Sequence, residues 1–181
     1  MLKEEPRGKR RKMPRTKSEQ AKASRRKGKR GERLLAKRLE TWWGAPFHRT
    51  PASGALRWGE RVEVRGDIVC EDTDFPFVIE EKNREAWEFA PFIEGKGAIF
   101  KWWQQVLKDS KAIHRIPLLF INKNRSPSYV IFRPRDVRLF WDTKPNCFIT
   151  TCNSNAGTLR MVERETFLSC ISPTLCVDKI A

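Results

Sequence analysis

The sequence predicts an α/β fold in which amphipathic helices and apolar strands succeed one another along the chain. Apolar residues recur at helical spacing around Leu35 and Leu39, and again between Ile99 and Ile113. Short apolar runs bounded by turn-forming residues, such as 117–122, are typical of buried strands. The predicted order is therefore helix, strands, helix, strands.

The positive charge of the chain is concentrated near its N-terminus. The 37 Lys and Arg residues outnumber the 22 Asp and Glu residues, which gives a net charge of +15, and 14 of the basic residues lie in residues 1–30. Because this stretch lacks apolar periodicity, we predict a disordered basic tail at 1–28 and one folded domain at 29–181. A polyanion is the expected partner, although a tail that only aids solubility or localisation remains an alternative. The basic residues expected to contact nucleic acid are Arg25, Arg26, Lys27, Lys29, Arg30 and Arg49.

The first predicted helix covers residues 29–43 and ends at Gly44. Leu35 and Leu39 form its apolar stripe. Glu32 lies three residues before Leu35 and therefore falls on the same stripe. A carboxylate directed towards a core requires a compensating partner, so Glu32 is a candidate functional residue.

The remaining elements are predicted from periodicity and turn residues. They are strands at 62–69 and 75–82, a helix at 99–113, strands at 117–122 and 129–132, and, less distinctly, a strand at 159–162 and a helix at 163–168. The last part of the chain is expected to complete the core.

The strongest chemical motif joins two predicted strands. Asp67 is followed thirteen residues later by Glu80, and Glu81 and Lys82 come next. Because side chains alternate along a strand, Glu80 and Lys82 share one face, whereas Glu81 points to the other. If Asp67 lies at the end of a neighbouring strand and Glu32 approaches from the packed helix, three carboxylates and one lysine converge.

A cluster of this kind needs a cation to offset the repulsion between its charges. Oxygen ligands favour Mg²⁺ or Mn²⁺, so we expect a metal site formed by Asp67, Glu80 and Glu32. Such a site is suited to phosphodiester hydrolysis, with Lys82 orienting water or stabilising developing charge. The alternative is that residues 80–82 are only the solvated end of a strand.

These motifs resemble the PD-(D/E)XK nuclease superfamily and, within it, the Holliday junction resolvases of archaeal and phage type. The resemblance runs from about Gly28 to Phe132. It is carried by GERLLAKRLE, HRTPASGA, RGDIV, VIEEKN and KWWQQ before PLLFINKN. Where relatives have proline before the aspartate, this chain has Gly66, and we expect that departure to be tolerated because the carboxylate is the ligand.

The resemblance implies a central mixed β-sheet flanked by helices, which is the restriction-endonuclease-like fold. It also implies two divalent-metal positions around Asp67 and Glu80, and usually a homodimer that cuts two strands symmetrically. Ser53 would lie in a loop near the scissile phosphate, although an ordinary turn role for this serine is equally compatible with its position. Gln104 or Gln105 would lie on a helix near the metal, and the sequence does not distinguish the two.

The function predicted from these observations is that of a Mg²⁺-dependent endonuclease acting on branched DNA. Resolution of four-way junctions, in recombination and repair, follows from the resemblance alone, as does the association with phages. Two alternatives remain: another structure-specific or restriction-type DNA nuclease, and a non-catalytic nucleic-acid-binding protein.

Cysteine and histidine usage does not favour a zinc site or a disulfide framework. The five cysteines include no Cys-x-x-Cys pair, and the two histidines, His48 and His114, are far apart. The sequence has no apolar stretch of 18 residues and no apolar core of a signal peptide. We therefore expect a soluble protein of the cytoplasm, or of the host-cell interior if it is phage-encoded.

Overall fold

The computed structural model describes residues 16–50, 57–58, 62–63, 65–143, 150–154 and 157–178. The first 15 residues, where half of the predicted tail lies, are outside these ranges. The elements in chain order are α1 (Lys17–Trp43), β1 (Phe47–Arg49), β2 (Arg57–Trp58), β3 (Val62–Glu63), β4 (Ile68–Cys70), β5 (Phe77–Asn83), α2 (Phe89–Ile93), α3 (Ala98–Ala112), β6 (Ile116–Asn122), β7 (Tyr129–Phe132), α4 (Pro134–Val137), β8 (Thr150–Ser154), β9 (Gly157–Glu163), α5 (Arg164–Cys170) and α6 (Pro173–Asp178).

Seven strands form one mixed sheet in the order β1-β4-β5-β6-β7-β9-β8. The β5–β6 pair is parallel, with Phe77 opposite Ile116, and the other pairs are antiparallel. Parallel neighbours need a crossover connection, and the chain between β5 and β6 supplies one through α2 and α3. This mixed sheet confirms the predicted fold class.

Strand β5 separates two hydrophobic cores, one on each face of the sheet. Ile79 packs into the core that also contains Leu39 of α1. Its neighbour Val78 packs into the opposite core, together with Trp103 of α3. Because successive side chains alternate, β5 is buried on both sides, which explains its almost continuous apolar start.

Helix α1 begins at Lys17, twelve residues earlier than its predicted start, so residues 17–28 of the predicted tail are helical in the structure. Thr16 and Glu19 form a capping box that satisfies the first backbone N–H groups. Beyond this cap, the helix is fastened to the chain after β5. The Arg84 guanidinium donates to the Ser24 hydroxyl at 3.0 Å, and Lys27 contacts Glu85.

The predicted strand at 62–69 is divided in the structure into β3 and β4. Gly66, which lies between them, has a φ of 88°, a left-handed conformation that interrupts an extended strand. The predicted helix at 99–113 and the strands at 117–122 and 129–132 agree with α3, β6 and β7 to within one residue at each end. The short elements β1 and α2 were not predicted because neither is long enough to show a period.

Within the described ranges, no helix is both long and apolar enough to cross a bilayer.

Candidate active site

Asp67 is held rigidly between two strands by backbone hydrogen bonds. Its N–H donates to the Ile79 carbonyl at 2.8 Å, and its own carbonyl accepts from the Thr50 N–H at 2.9 Å. The carboxylate oxygen Oδ2 accepts from the backbone N–H of Glu81 at 2.9 Å. The position of Asp67 beside β5 is therefore determined by the main chain and does not depend on a ligand.

Glu80 and Lys82 lie on the same face of β5, as the strand alternation predicted. The Lys82 ammonium contacts the Glu80 carboxylate and lies 3.8 Å from Oδ2 of Asp67. Glu80 is only 1% exposed. Burial, together with the negative charge of Asp67, raises the pKa of Glu80 to about 7, and the nearby Lys82 opposes this increase.

These residues fit a divalent cation. Two carboxylates, from Asp67 and Glu80, reach the same ammonium group, so their oxygens converge on one small volume. The raised pKa of Glu80 reflects a poorly compensated negative charge, which a cation would stabilise in its ionised form. Mg²⁺ typically uses one or two carboxylates and completes its coordination with water and substrate phosphate. Asp67 and Glu80 are the residues that would hold it.

Glu32 lies beside this pair and is tied to a basic partner. Its carboxylate forms an ion pair with the Arg49 guanidinium at 2.9 Å, and both side chains are mostly buried. Burial and the charge of Asp67 raise the pKa of Glu32, whereas Arg49 lowers it. Across the described residues, no group of three or more Asp, Glu, His or Cys side chains has metal-binding geometry. The expectation that Glu32 is a third metal ligand therefore stays a prediction.

Glu81 occupies the opposite face of β5 from Glu80, as predicted, but it is not the solvated end of a strand. It is 4% exposed, and its Oε1 accepts from the Asn122 side-chain amide. Burial raises its pKa to about 7, with a smaller contribution from the charges of Glu32 and Asp67. Alternation identified the face, but it does not reveal what covers that face.

Helix α3 adds a further acidic residue near Glu80. The charge of Asp109 contributes to the raised pKa of Glu80, and its carboxylate lies 4.0 Å from the Arg65 guanidinium. Gln104 and Gln105 are both exposed on this helix. Gln105 lies one turn before Asp109 and therefore on its side of α3, whereas Gln104 lies on the opposite flank. Helical geometry thus favours Gln105 as the residue nearer to the carboxylates.

A cleft of about 500 Å³ lies against this cluster on the α1 side of the sheet. Its lining includes the acidic residues Glu32, Asp67 and Glu81 together with five basic residues. The basic lining residues are Arg25, Lys29, Arg49, Lys82 and Arg84. Arg26 and Arg30 lie elsewhere on the exposed surface of α1, and Lys27 is engaged by Glu85. Sequence inspection missed Arg84, whose only signal was its place two residues after Lys82.

Ser53, which the sequence suggested as a loop residue near the scissile phosphate, lies outside the described residues. Thr50, three residues earlier in the chain, lines the cleft together with Arg49. The role of Ser53 therefore stays a prediction. His48 is outside the cluster, with its imidazole Nε2 placed 2.5 Å from the Glu71 carboxylate.

A family model also matches the chain. The model described as "Phage putative PDDEXK endonuclease" matches residues 23–168, and the chain belongs to that family. It is therefore a nuclease of the PD-(D/E)XK class, whose members generally use divalent metals.

Two particular proteins are similar to the chain. Protein D14 of Escherichia phage T5 is 29% identical over 107 residues, which cover 56% of this chain and 66% of that protein. The match thus spans just under two thirds of the curated relative. The 1.6 Å structure of Hjc, a Holliday junction resolvase from the archaeal hyperthermophile Archaeoglobus fulgidus, is 14% identical. That comparison covers 81% of this chain and 91% of the other, with a TM-score of 0.38.

Proposed function

We propose that this nuclease is a Mg²⁺- or Mn²⁺-dependent endonuclease that cuts branched DNA and resolves four-way junctions by paired nicks as a homodimer. Asp67 and Glu80 are the proposed metal ligands, and Lys82 is the proposed catalytic lysine. Glu32 is a further acidic residue of the same site. Such an enzyme would serve DNA recombination and repair.

The observation that carries the proposal is the convergence of Asp67, Glu80 and Lys82. The lysine contacts one carboxylate and lies 3.8 Å from the other. A structural ion-pair network would need only one carboxylate per ammonium to balance charge. Here two carboxylates share one ammonium group, and one of them, Glu80, is almost fully buried. A surplus of negative charge of this kind is expected of a site that binds a cation.

A divalent cation bound by these carboxylates would polarise the phosphodiester and lower the pKa of an attacking water. The chain itself supplies the positioning. Asp67 is fixed by three hydrogen bonds before any ligand arrives, which limits the reorganisation needed during the reaction. Lys82 has the charge and reach to orient the attacking water or to stabilise a negatively charged phosphate oxygen.

Arg49 provides a phosphate contact next to these groups. Its guanidinium lies in the cleft and pairs with Glu32 at 2.9 Å, so the arginine is held close to Asp67. A guanidinium recognises phosphate through paired N–H donors. Binding of a phosphate would give Arg49 a second acceptor alongside Glu32, and it would link substrate binding to the acidic residue on α1.

The cleft supports DNA as the substrate because basic residues from α1, from β1 and from the end of β5 and just beyond it line the cleft together with Asp67. Arg25 and Lys29 lie one turn apart on α1. Both would contact phosphates of the DNA backbone beyond the scissile one. The preference for four-way junctions comes from the resemblance of the sequence motifs. The roles of Ser53 in a substrate loop and of Gln105 beside the metal belong to this same proposal.

The decisive experiment compares cleavage of a labelled four-way junction, a matched linear duplex and a single strand, with Mg²⁺ and with chelator. We expect symmetric nicks in the junction, which disappear with chelator. Metal-dependent cleavage of all three substrates would instead indicate a general or restriction-type nuclease. Binding without cleavage by the full-length protein in Mg²⁺ and in Mn²⁺ would overturn the enzymatic proposal.

A further inference from the structure

Glu81 is a buried carboxylate that the proposed chemistry does not use. Its Oε1 accepts from Asn122, whereas its Oε2 is buried with no hydrogen-bond partner among the described residues. Burying a partly satisfied carboxylate is unfavourable, and an apolar residue would be the usual occupant of this position. The contact on its other side explains its presence.

Helix α1 approaches this carboxylate through Gly31. A Cβ atom on residue 31 would lie 2.5 Å from Oε1 of Glu81 and 3.0 Å from the Asn83 amide nitrogen. The first distance is far below van der Waals contact, so a Cβ at this position would push the Glu81 carboxylate away from its present place, where it accepts from Asn122. Glycine in the interior of a helix lowers helix stability, and the close contact with Glu81 accounts for that cost.

Gly31 is directly followed by Glu32, and Arg25 and Lys29 precede it on the cleft wall. The distance between α1 and β5 therefore determines where these side chains lie relative to Asp67. We propose that Glu81 is a positioning residue, whose carboxylate, seated against Gly31, sets the distance between α1 and the end of β5. This inference rests on the proposed function, because the groups it positions are those of the proposed site.

Side chains alternate along β5, and this alternation separates the proposed chemical groups from those that contact α1. Glu80 and Lys82 face the α3 side and form the proposed chemical centre, whereas Glu81 and Asn83 face α1. The same short segment thus presents the reactive groups on one face and the support for the helix on the other. A helix that moved on this support would carry Glu32 away from the site while leaving Glu80 and Lys82 in place.

The first test replaces Gly31 with alanine and measures turnover and hydrogen exchange of α1. Gly31→Ala should lower kcat by at least about tenfold, because small displacements of active-site groups are costly, and it should accelerate amide exchange in residues 17–43. Gly28→Ala is the matched control for exchange, since its added Cβ would meet only Oε1 of Glu32, at 3.9 Å. This variant should not accelerate exchange.

The second test asks whether the two positions compensate. Truncating the Glu81 side chain to alanine removes the clash. The double variant with Gly31→Ala and Glu81→Ala should therefore have a kcat at least about threefold higher than that of Gly31→Ala alone. Glu81→Gln keeps the shape and the acceptor for Asn122, and it should retain several-fold more turnover than Glu81→Ala. DNA affinity measured with chelator should change less than kcat in every variant.

The positioning role is overturned if Gly31→Ala leaves both kcat and α1 exchange unchanged, or if the double variant shows no compensation in either readout. If Gly31→Ala does not fold, the comparison of Glu81→Gln with Glu81→Ala decides the question, and equal turnover and exchange in these two overturn it. Should wild-type protein cleave no substrate, the proposed function fails, and compensation in hydrogen exchange still decides whether Glu81 positions α1.

Discussion

Gly66 lies directly beneath the carbonyl of Ile79, so close that a Cβ on residue 66 would be 2.5 Å from that oxygen. The same residue has a φ of 88°. Proline, which relatives carry before the aspartate, has a φ fixed near −65°. Gly66 is thus a requirement of this backbone and not a neutral departure, because the turn it makes delivers Asp67 to β5.

Gly66→Ala should therefore destabilise the fold more than an ordinary substitution at a glycine of positive φ. Gly44 is the matched control, with the same φ of 88° and nothing within 4 Å of its added Cβ. We expect Gly66→Ala to lower the free energy of unfolding by about 1–3 kcal/mol more than Gly44→Ala does, because a clash with backbone is added to the conformational strain. Urea denaturation measures the difference, and equal losses would contradict this account.

Removing either proposed metal ligand should abolish cleavage without abolishing DNA binding. Asp67→Asn and Glu80→Gln keep the shape of the side chain but weaken its affinity for a cation, so cleavage should fall by at least about a hundredfold. Asp74→Asn, at an exposed site near the same strands, is the control. Single-turnover cleavage and binding in chelator separate the two effects. Wild-type rates in both ligand variants would refute the assignment.

The basic wall of the cleft should set affinity and its dependence on salt. Arg25→Ala and Lys29→Ala should each weaken DNA binding and reduce the slope of log K against log salt by about 0.9, the value for one lost phosphate contact. Lys37→Ala changes an exposed lysine further along the same helix and should leave the slope unchanged. Binding isotherms at several salt concentrations provide the measurement. An identical change of slope in all three variants would argue against specific phosphate contacts along the cleft.

Much of the fold could be predicted because α3 has a clear helical period, whereas β6 and β7 are short apolar runs that turn residues separate. The first half of α1 could not, since this segment is polar on all sides and is fastened by Ser24 and Lys27 to residues after β5. The convergence of Asp67, Glu80 and Lys82 was predictable from alternation and spacing. The burial of Glu81 was not, because it depends on where a distant glycine lets the helix approach.

Metal-free protein should become less stable as the pH rises from 5 to 8. Burial raises the pKa of Glu81 from 4.5 to about 7, so the folded state binds this proton more tightly than the unfolded state does. The resulting stabilisation is fully present below pH 4.5 and is lost as the pH rises through about 7. The loss attributable to this group is roughly 1–3 kcal/mol.

Urea denaturation in chelator at several pH values tests this expectation. Glu81→Gln should make the profile shallower, since an amide does not titrate in this range, and the remaining slope should come from Glu80, whose pKa is also raised to about 7. Glu40→Gln, on the exposed side of α1, should leave the profile unchanged. If the glutamine variant keeps the full pH dependence, Glu81 is not the group responsible.

Two cysteines should be unreactive in the folded protein. Burial raises the pKa of Cys70 to about 11 and that of Cys176 to about 12. At pH 8 the thiolate fraction of Cys70 would be only about 0.1%, and alkylation requires the thiolate. Peptide mapping after iodoacetamide treatment should find both residues unmodified in native protein and modified in urea. Rapid native labelling of either one would mean that its surroundings open readily.

The alternating faces of β5 have a consequence for how this segment tolerates mutation. Under the proposed roles, substitutions at Glu80 and Lys82 would lower turnover and leave the fold in place, whereas those at Glu81 and Asn83 would alter the position of helix α1. In a saturation scan that scores protein abundance and turnover separately, substitutions at positions 80 and 82 should therefore lower mainly turnover. Substitutions at positions 81 and 83 should lower abundance as well, so the affected property should alternate along the strand.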